Sequence, residues 1–161
     1  MILLRLEDYY DVLKNINLFR NFSERDFFKL FKNIDYEISV YPKDSMVFIE
    51  STECDTLNII LSGNVRIQKI DSSGKVLVVT DFKDRDIYGE ALLFGQCNTY
   101  PMTGMSTMDT TVLFIPKDAV FYLCKNDDVF LKEFLALLSS KSVTLSSKLK
   151  WISLKTIRQK I

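Results

Sequence analysis

Histidine is absent from this chain of 161 residues. Without it no histidine-ligated haem can form, and the histidine-rich metal centres common in β-fold metalloenzymes are excluded. Cysteine is scarce. Cys54, Cys97 and Cys124 are an odd number at wide spacing, which argues against a disulfide framework and for reduced thiols in a cytoplasmic protein. Neither charge is in excess: Lys plus Arg total 21, as do Asp plus Glu. No overall field therefore draws the chain to nucleic acid or to a membrane surface. No apolar run approaches the length that crosses a bilayer. The apolar start, Met1 to Leu6, is too short for a signal peptide and is followed at once by acids. One further absence is local, since no Lys or Arg lies between Asp86 and Ile115. What is present is ordinary for a single globular domain with a proper core: 47% hydrophobic and 26% charged residues.

Two short helices are expected first. Glu7 to Asn15 carries Tyr9, Tyr10, Val12 and Leu13. Ser23-Glu24-Arg25-Asp26 then supplies an N-cap with acids in the first turn, and Phe27, Phe28, Leu30 and Phe31 give that helix an apolar face. The texture changes from Tyr36 to Pro116. Short β-rich runs follow one another: Tyr36–Tyr41, Met46–Ile49, Leu57–Leu61, Val65–Ile70, Val76–Phe82, Thr103–Ser106 and Thr110–Ile115. Such spacing indicates a sandwich, a barrel or a jelly roll. Ser62-Gly63-Asn64 and Asp71-Ser72-Ser73-Gly74-Lys75 are the turns between neighbouring strands.

The strand succession is interrupted between Asp86 and Thr103. Gly89 can adopt backbone angles closed to other residues. Glu90 stands where a short helix, Ala91 to Phe94, would begin. A one-turn helix and a polar loop inside a β domain point to a pocket, although Glu90 also suits a helix N-terminus and Gly89 a plain turn.

Gly89-Glu90-Ala91-Leu92-Leu93-Phe94 resembles the G-E-x-x-L-[LF] cassette of cyclic-nucleotide-binding domains. Leu57 to Val65 resembles the hydrophobic strand and x-G-x-V hairpin of the same family, and Thr110 to Asp118 its last strand and following helix start. The likeness runs from about Phe19 to Ile161. It is strongest to the effector-sensing half of CRP/FNR-type bacterial transcription regulators. The resemblance implies a mainly β fold with flanking helices, a double-stranded β-helix or jelly roll, followed by a long dimerisation helix. It also implies an effector pocket at Tyr88, Gly89, Glu90, Ala91, Thr99, Tyr100, Pro101 and Met102. Cyclic-nucleotide members place an arginine about ten residues beyond the acid to pair with the phosphate. Here that position falls near Tyr100. A buried phosphate needs a fixed cation, so cyclic nucleotide is expected to bind weakly or not at all, and a small organic effector fits better. No cofactor is expected. An FNR-like iron–sulfur cluster wants four cysteines, most near the N-terminus, and this chain has three, none before Cys54.

Beyond Pro116 the pattern is helical. Pro116-Lys117-Asp118 opens a helix through Leu123, and Asn126-Asp127-Asp128 caps a long one. Leu131, Leu135, Leu138, Ser142, Leu145, Leu149 and Ile152 recur at spacings of four and three, a heptad seam. Phe130, Phe134 and Leu137 form a second apolar face. Two faces call for two partners: the strand domain and a second copy of the helix. Ser142 is a candidate register-setting polar position. From Lys141 to the end there are six basic residues and no acids, and Leu154 to Ile161 looks like the first helix of a winged helix-turn-helix that stops before its recognition helix. The expected organisation is a sensor domain over residues 1–125, a dimerisation helix over 126–152, and the start of a truncated DNA-binding domain over 153–161.

The function expected from these readings is effector sensing and dimerisation for a transcription regulator. DNA would be reached only through a winged helix-turn-helix missing from this chain, with no membrane partner. The alternative is a cyclic-nucleotide-binding module not linked to transcription. An enzyme is not expected, since no metal-ligand cluster and no Ser or Cys nucleophile with a visible base can be read from the sequence.

Overall fold

The computed structural model describes residues 3–160, the side chains of 143–149, 151–153, 155–157 and 159–160 excepted. The chain opens with a 3-10 turn, Leu6–Tyr9, running into α1 (Tyr10–Leu13). In α2 (Glu24–Lys32) the Ser23 hydroxyl accepts from the Asp26 amide at 3.1 Å, so the expected N-cap is in place. Eight strands follow: β1 (Glu37–Tyr41), β2 (Met46–Phe48), β3 (Thr56–Ser62), β4 (Asn64–Ile70), β5 (Val76–Lys83), β6 (Ile87–Tyr88), β7 (Thr103–Ser106) and β8 (Thr110–Pro116). The one-turn helix α3 (Glu90–Leu93) lies between β6 and β7. The chain closes with α4 (Lys117–Asn126) and α5 (Asp128–Lys160). The β6 strand has no counterpart in the sequence reading, because two residues are too few to display an alternation.

The strands form two antiparallel four-stranded sheets, ordered β1-β8-β3-β6 and β2-β7-β4-β5. This is the jelly roll among the three architectures the strand spacing allowed. Side chains alternate faces along a strand, and β3 is buried over five successive positions. Leu57, Ile59 and Leu61 join Leu113 and Ile115 of β8 in the core beneath the helices. Ile60 and Val112 point the other way, into a second core between the sheets with Val65, Ile67, Tyr88 and Tyr100. Strands buried on both faces read as predominantly apolar runs, as Val112–Ile115 does in β8 and as β3 does apart from Asn58.

The aromatic helix residues supply the first core. Phe19, Phe27 and Phe31 pack with ring centroids 4.9–5.7 Å apart, and Phe130 reaches Phe19 at 6.3 Å. The Asp127 carboxylate caps α5 by accepting from the Phe130 amide at 2.8 Å. Phe130 and Phe134 are buried, and Leu137 is half-buried against the same core. The second apolar face of α5 therefore covers the strand domain, as its spacing indicated.

The seam residues divide. Leu138 is half-buried against the core. Leu135 is 52% exposed. Ser142 is exposed, and its hydroxyl donates to the Leu138 carbonyl one turn back at 3.0 Å. Leu145, Leu149 and Ile152 lie outside the residues whose side chains are described. The boundary drawn at 152/153 falls within α5. At the far edge of the second sheet, Ile70, Val76, Leu77, Val78 and Val79 of the β4–β5 hairpin are each about half exposed or more.

Removing the Phe130 ring should expose how far α5 is fastened by this core. We expect Phe130→Ala to destabilise the domain by about 3–5 kcal/mol, read from the shift in a urea unfolding midpoint.

Candidate functional site

The loop between β6 and β7 builds one wall of a cavity of about 240 Å³. Its construction starts at Gly89, whose φ of +88° lies in the left-handed region. A Cβ there would lie 2.9 Å from the Asn58 amide nitrogen, the Cys54 sulfur and the Thr56 carbonyl oxygen. The backbone is thus pressed against the start of β3. The turn drives Glu90, the first residue of α3, inward, where its side chain is 6% exposed. Glu90 therefore does more than open a helix.

Four aromatic rings surround the rest of the cavity. Phe48 stacks on Tyr100 with centroids 4.3 Å apart, and Phe82 stacks on Tyr88 at 5.5 Å. Phe48 also meets Tyr88 at 5.1 Å. Gly104 makes room for this arrangement, since a Cβ at that position would lie 2.4 Å from the Phe48 ring. A hydrogen-bonded chain stands behind Tyr100. The Thr56 hydroxyl donates to the Asn58 side-chain carbonyl at 2.6 Å, and the Asn58 amide donates to the Tyr100 hydroxyl at 3.1 Å. The polar Asn58, fully buried in β3, is thereby satisfied, as a buried amide must be.

Of the eight residues expected to bind effector, seven line the cavity: Tyr88, Gly89, Glu90, Ala91, Tyr100, Pro101 and Met102. Thr99 is placed outside it, in an isolated antiparallel bridge to Glu53. Sequence reasoning missed Phe48, Ile67, Phe82 and Leu92, and above all Lys141.

Lys141 changes the electrostatics. Its ammonium lies 2.7 Å from Glu90 Oε1 and also donates to the Ile87 carbonyl oxygen. It enters from α5, more than fifty residues beyond Glu90. The expectation that no cation stands at the site is corrected on this point: the loop itself has none, but the long helix brings one. The pairing leaves two polar atoms over. Among the described residues, Glu90 Oε2 and the Tyr88 hydroxyl are buried without a hydrogen-bond partner. Burial and the neighbouring Cys54 thiol push the Tyr100 hydroxyl far above the usual phenol range, and burial does the same to Tyr88. Both stay neutral donors at any physiological pH.

The cysteines take no visible part in this chemistry. Cys54 is buried, and its thiol donates to the Thr56 and Gly89 carbonyls. Burial raises its pKa, which disfavours the reactive thiolate. Cys97 is exposed, Cys124 is half-buried, and all three are unpaired.

The architecture is a jelly roll with a cavity at a one-turn helix, lined in part by a residue of a long C-terminal helix. The chain belongs to the cyclic nucleotide-binding domain family, whose model matches residues 38–127. That match covers the cavity loop but stops before Lys141. Among known proteins, the anaerobic regulatory protein of Bacillus subtilis (strain 168) is 26% identical over 125 residues, 78% of this chain and 52% of the relative. The chain thus spans about half the length of the curated relative it matches. Among solved structures, a transcriptional regulator from Thermotoga maritima superposes with a TM-score of 0.69 at 23% identity, over 79% of this chain and 97% of that one. The catabolite activator protein of Thermus thermophilus gives 0.71 at 17%, over 85% and 63%. The sensor domain of the transcriptional regulator DNR from Pseudomonas aeruginosa gives 0.71 at 18%, over 89% and 93%. At these identities the structures establish the shared fold. The resemblance to CRP/FNR-type regulators read from the cassette and hairpin is borne out.

Two outcomes follow from the geometry. Gly89→Ala should cost more than about 1 kcal/mol, seen as a lowered melting temperature, because the new methyl group meets backbone as well as side chains. The buried phenols are protonated in the folded state above the ordinary value of about 10, while the unfolded chain ionises there. Their contribution to stability is therefore complete below pH 10 and falls as pH rises beyond it. Ultraviolet titration should show Tyr88 and Tyr100 ionising only as the fold is lost, and ionisation of every tyrosine at pH 10–11 in a folded protein would contradict this.

Proposed function

We propose that this chain is the effector-sensing and dimerisation part of a cytoplasmic CRP/FNR-like transcription regulator, and that its effector is a small molecule other than cyclic AMP. One observation carries the reading. The family's acid is present as Glu90 in a buried aromatic cavity, but the cation beside it is already committed to that acid. A cyclic phosphate brings a negative charge that needs its own guanidinium or ammonium partner. Glu90 and Lys141 together offer no net charge, and the remaining walls are aromatic and aliphatic.

Two further observations favour assembly through α5. Leu135 stands half exposed on the heptad seam, and the β4–β5 hairpin exposes Ile70 and Val76 to Val79. Exposed apolar patches of this kind mark association surfaces. In this reading the effector-binding-like loop, the dimer helix over 126–152 and a DNA-binding domain act in series. Effector binding alters the placement of α5, whose first half is packed on the sensor, and the shift is relayed onward as coupling between two sites. An enzymatic role finds no support in a regulatory family.

The second reading is a cyclic-nucleotide-binding module that works apart from transcription. The family match favours it, and so does Lys141 if the ammonium turns from Glu90 to a phosphate.

Calorimetric titration with cyclic AMP and cyclic GMP, with Glu90→Ala as control, separates the two. We expect no binding in the submillimolar range. Submillimolar binding that is lost in Glu90→Ala would overturn the first reading's choice of effector. Sedimentation of the chain should give a dimer, and Leu135→Glu should shift it toward monomer.

A further inference from the structure

We propose that the cavity takes a small organic ammonium ion, which replaces the Lys141 ammonium at Glu90 and in doing so cuts the link between α5 and the cavity loop. The proposal rests on the effector-sensing reading above and names the chemical class of the effector. Glu90 is a carboxylate 6% exposed, with one oxygen paired to an ammonium and the other, Oε2, unpartnered among the described residues. A buried carboxylate oxygen without a donor is costly, so the site is incomplete as it stands. The hydroxyl of Tyr88, which lines the same cavity, is also buried and unpartnered.

Phe48, Phe82, Tyr88 and Tyr100 supply the rest of the recognition surface. Their centroids lie 4.3–5.5 Å apart in successive contacts. Aromatic rings attract cations through their quadrupoles, most strongly where water is excluded, and a carboxylate next to such rings is the arrangement that selects organic ammonium ions. A phosphate or carboxylate ligand would meet Glu90 as a like charge.

Lys141 already plays the ligand's part. It is the chain's own ammonium seated on Glu90, with a side chain that is 42% exposed. When displaced, it returns to water by a short movement of a flexible stem, so the exchange is inexpensive. The ion pair is also a link between α5 and the cavity loop, since the same ammonium holds the Ile87 carbonyl. Exchange of one ammonium for another keeps the buried charge neutralised while cutting that link. The tethered lysine acts as a competitor that the effector must outbid.

Benzylammonium and its neutral counterpart benzyl alcohol test this by calorimetry on the full chain. Benzylammonium should bind at least tenfold more tightly than the alcohol. Lys141→Met removes the competitor and should tighten benzylammonium binding by about fivefold, the order expected for a partly exposed ion pair. Glu90→Gln should abolish it, with circular dichroism confirming the fold. Lys141 lies near the surface, so its variant keeps the test valid if Glu90→Gln is unstable. Equal or tighter binding of benzyl alcohol would leave an effector pocket standing and overturn the cationic class. Benzylammonium binding that is unchanged or weakened in Lys141→Met would show that the ligand does not compete for Glu90, and would overturn the proposal. Heat from neither probe in wild type or Lys141→Met would overturn both the proposal and the effector pocket.

Discussion

Strand β3 meets protein on both of its faces, and the placement of everything else follows from that constraint. One face carries Leu57, Ile59 and Leu61 to the helices, and the other carries Ile60 and Asn58 to the space between the sheets. A strand in this position cannot leave a polar group unpaired. Asn58 is therefore the point at which the core dictates the site: its amide must find an acceptor, and it finds the Tyr100 hydroxyl. Gly89 is bound by the same strand, since only a residue without Cβ can lie so close to Asn58, Cys54 and Thr56. The two ends of the cavity loop are thus pinned to β3 by different means, one by hydrogen bonding and one by close contact.

Between those pins the loop has little freedom, and its charge logic follows. Carrying Glu90 into an aromatic cavity removes it from water. A lone buried carboxylate is costly, so the fold supplies an ammonium from the nearest element that can reach, which is α5. The same helix is fastened below by Phe130 and Phe134. Lys141 is two turns beyond Phe134 on that helix, at the margin of the region where packing with the sensor holds it. Electrostatics at the cavity and packing at the helix base therefore act on one helix. The Glu90–Lys141 pair is thus one of the contacts that join α5 to the cavity loop.

Much of this was legible in the sequence, for identifiable reasons. Predominantly apolar runs marked β3 and β8 because both are buried twice over. Ser23 and Asp127 marked helix starts because capping is a local event, settled within three residues. Glycine followed by an acid marked the cavity loop because the left-handed turn at Gly89 excludes other residues. What stayed hidden depends on contacts between distant segments. Phe48 and Phe82 look like ordinary strand residues, and only the apposition of the two sheets makes them walls. Thr99, next to Tyr100 in sequence, is turned away by its bridge to Glu53. Lys141 read as one of six basic residues in a solvated run, because nothing local reveals that a lysine reaches a carboxylate fifty-one positions earlier. The absence of Lys and Arg between Asp86 and Ile115 is a correct reading of the loop and an incomplete one of the site.

That difference bears on how family membership translates into chemistry. The match to the cyclic nucleotide-binding domain ends at residue 127, and the cation that neutralises its acid comes from residue 141. The cassette Gly89-Glu90 fixes the shape of the cavity wall, since turn geometry and burial are properties of the matched segment. It does not fix what charge the ligand carries, because that depends on which cation accompanies the acid and whether it is free. An arginine on the loop would be held apart from the acid and left available to a phosphate. A lysine on the following helix, paired to the acid itself, cancels the acid instead and ties the cavity to the helix that carries the heptad seam. The charge balance at the acid is thus set by an element outside the family's matched segment.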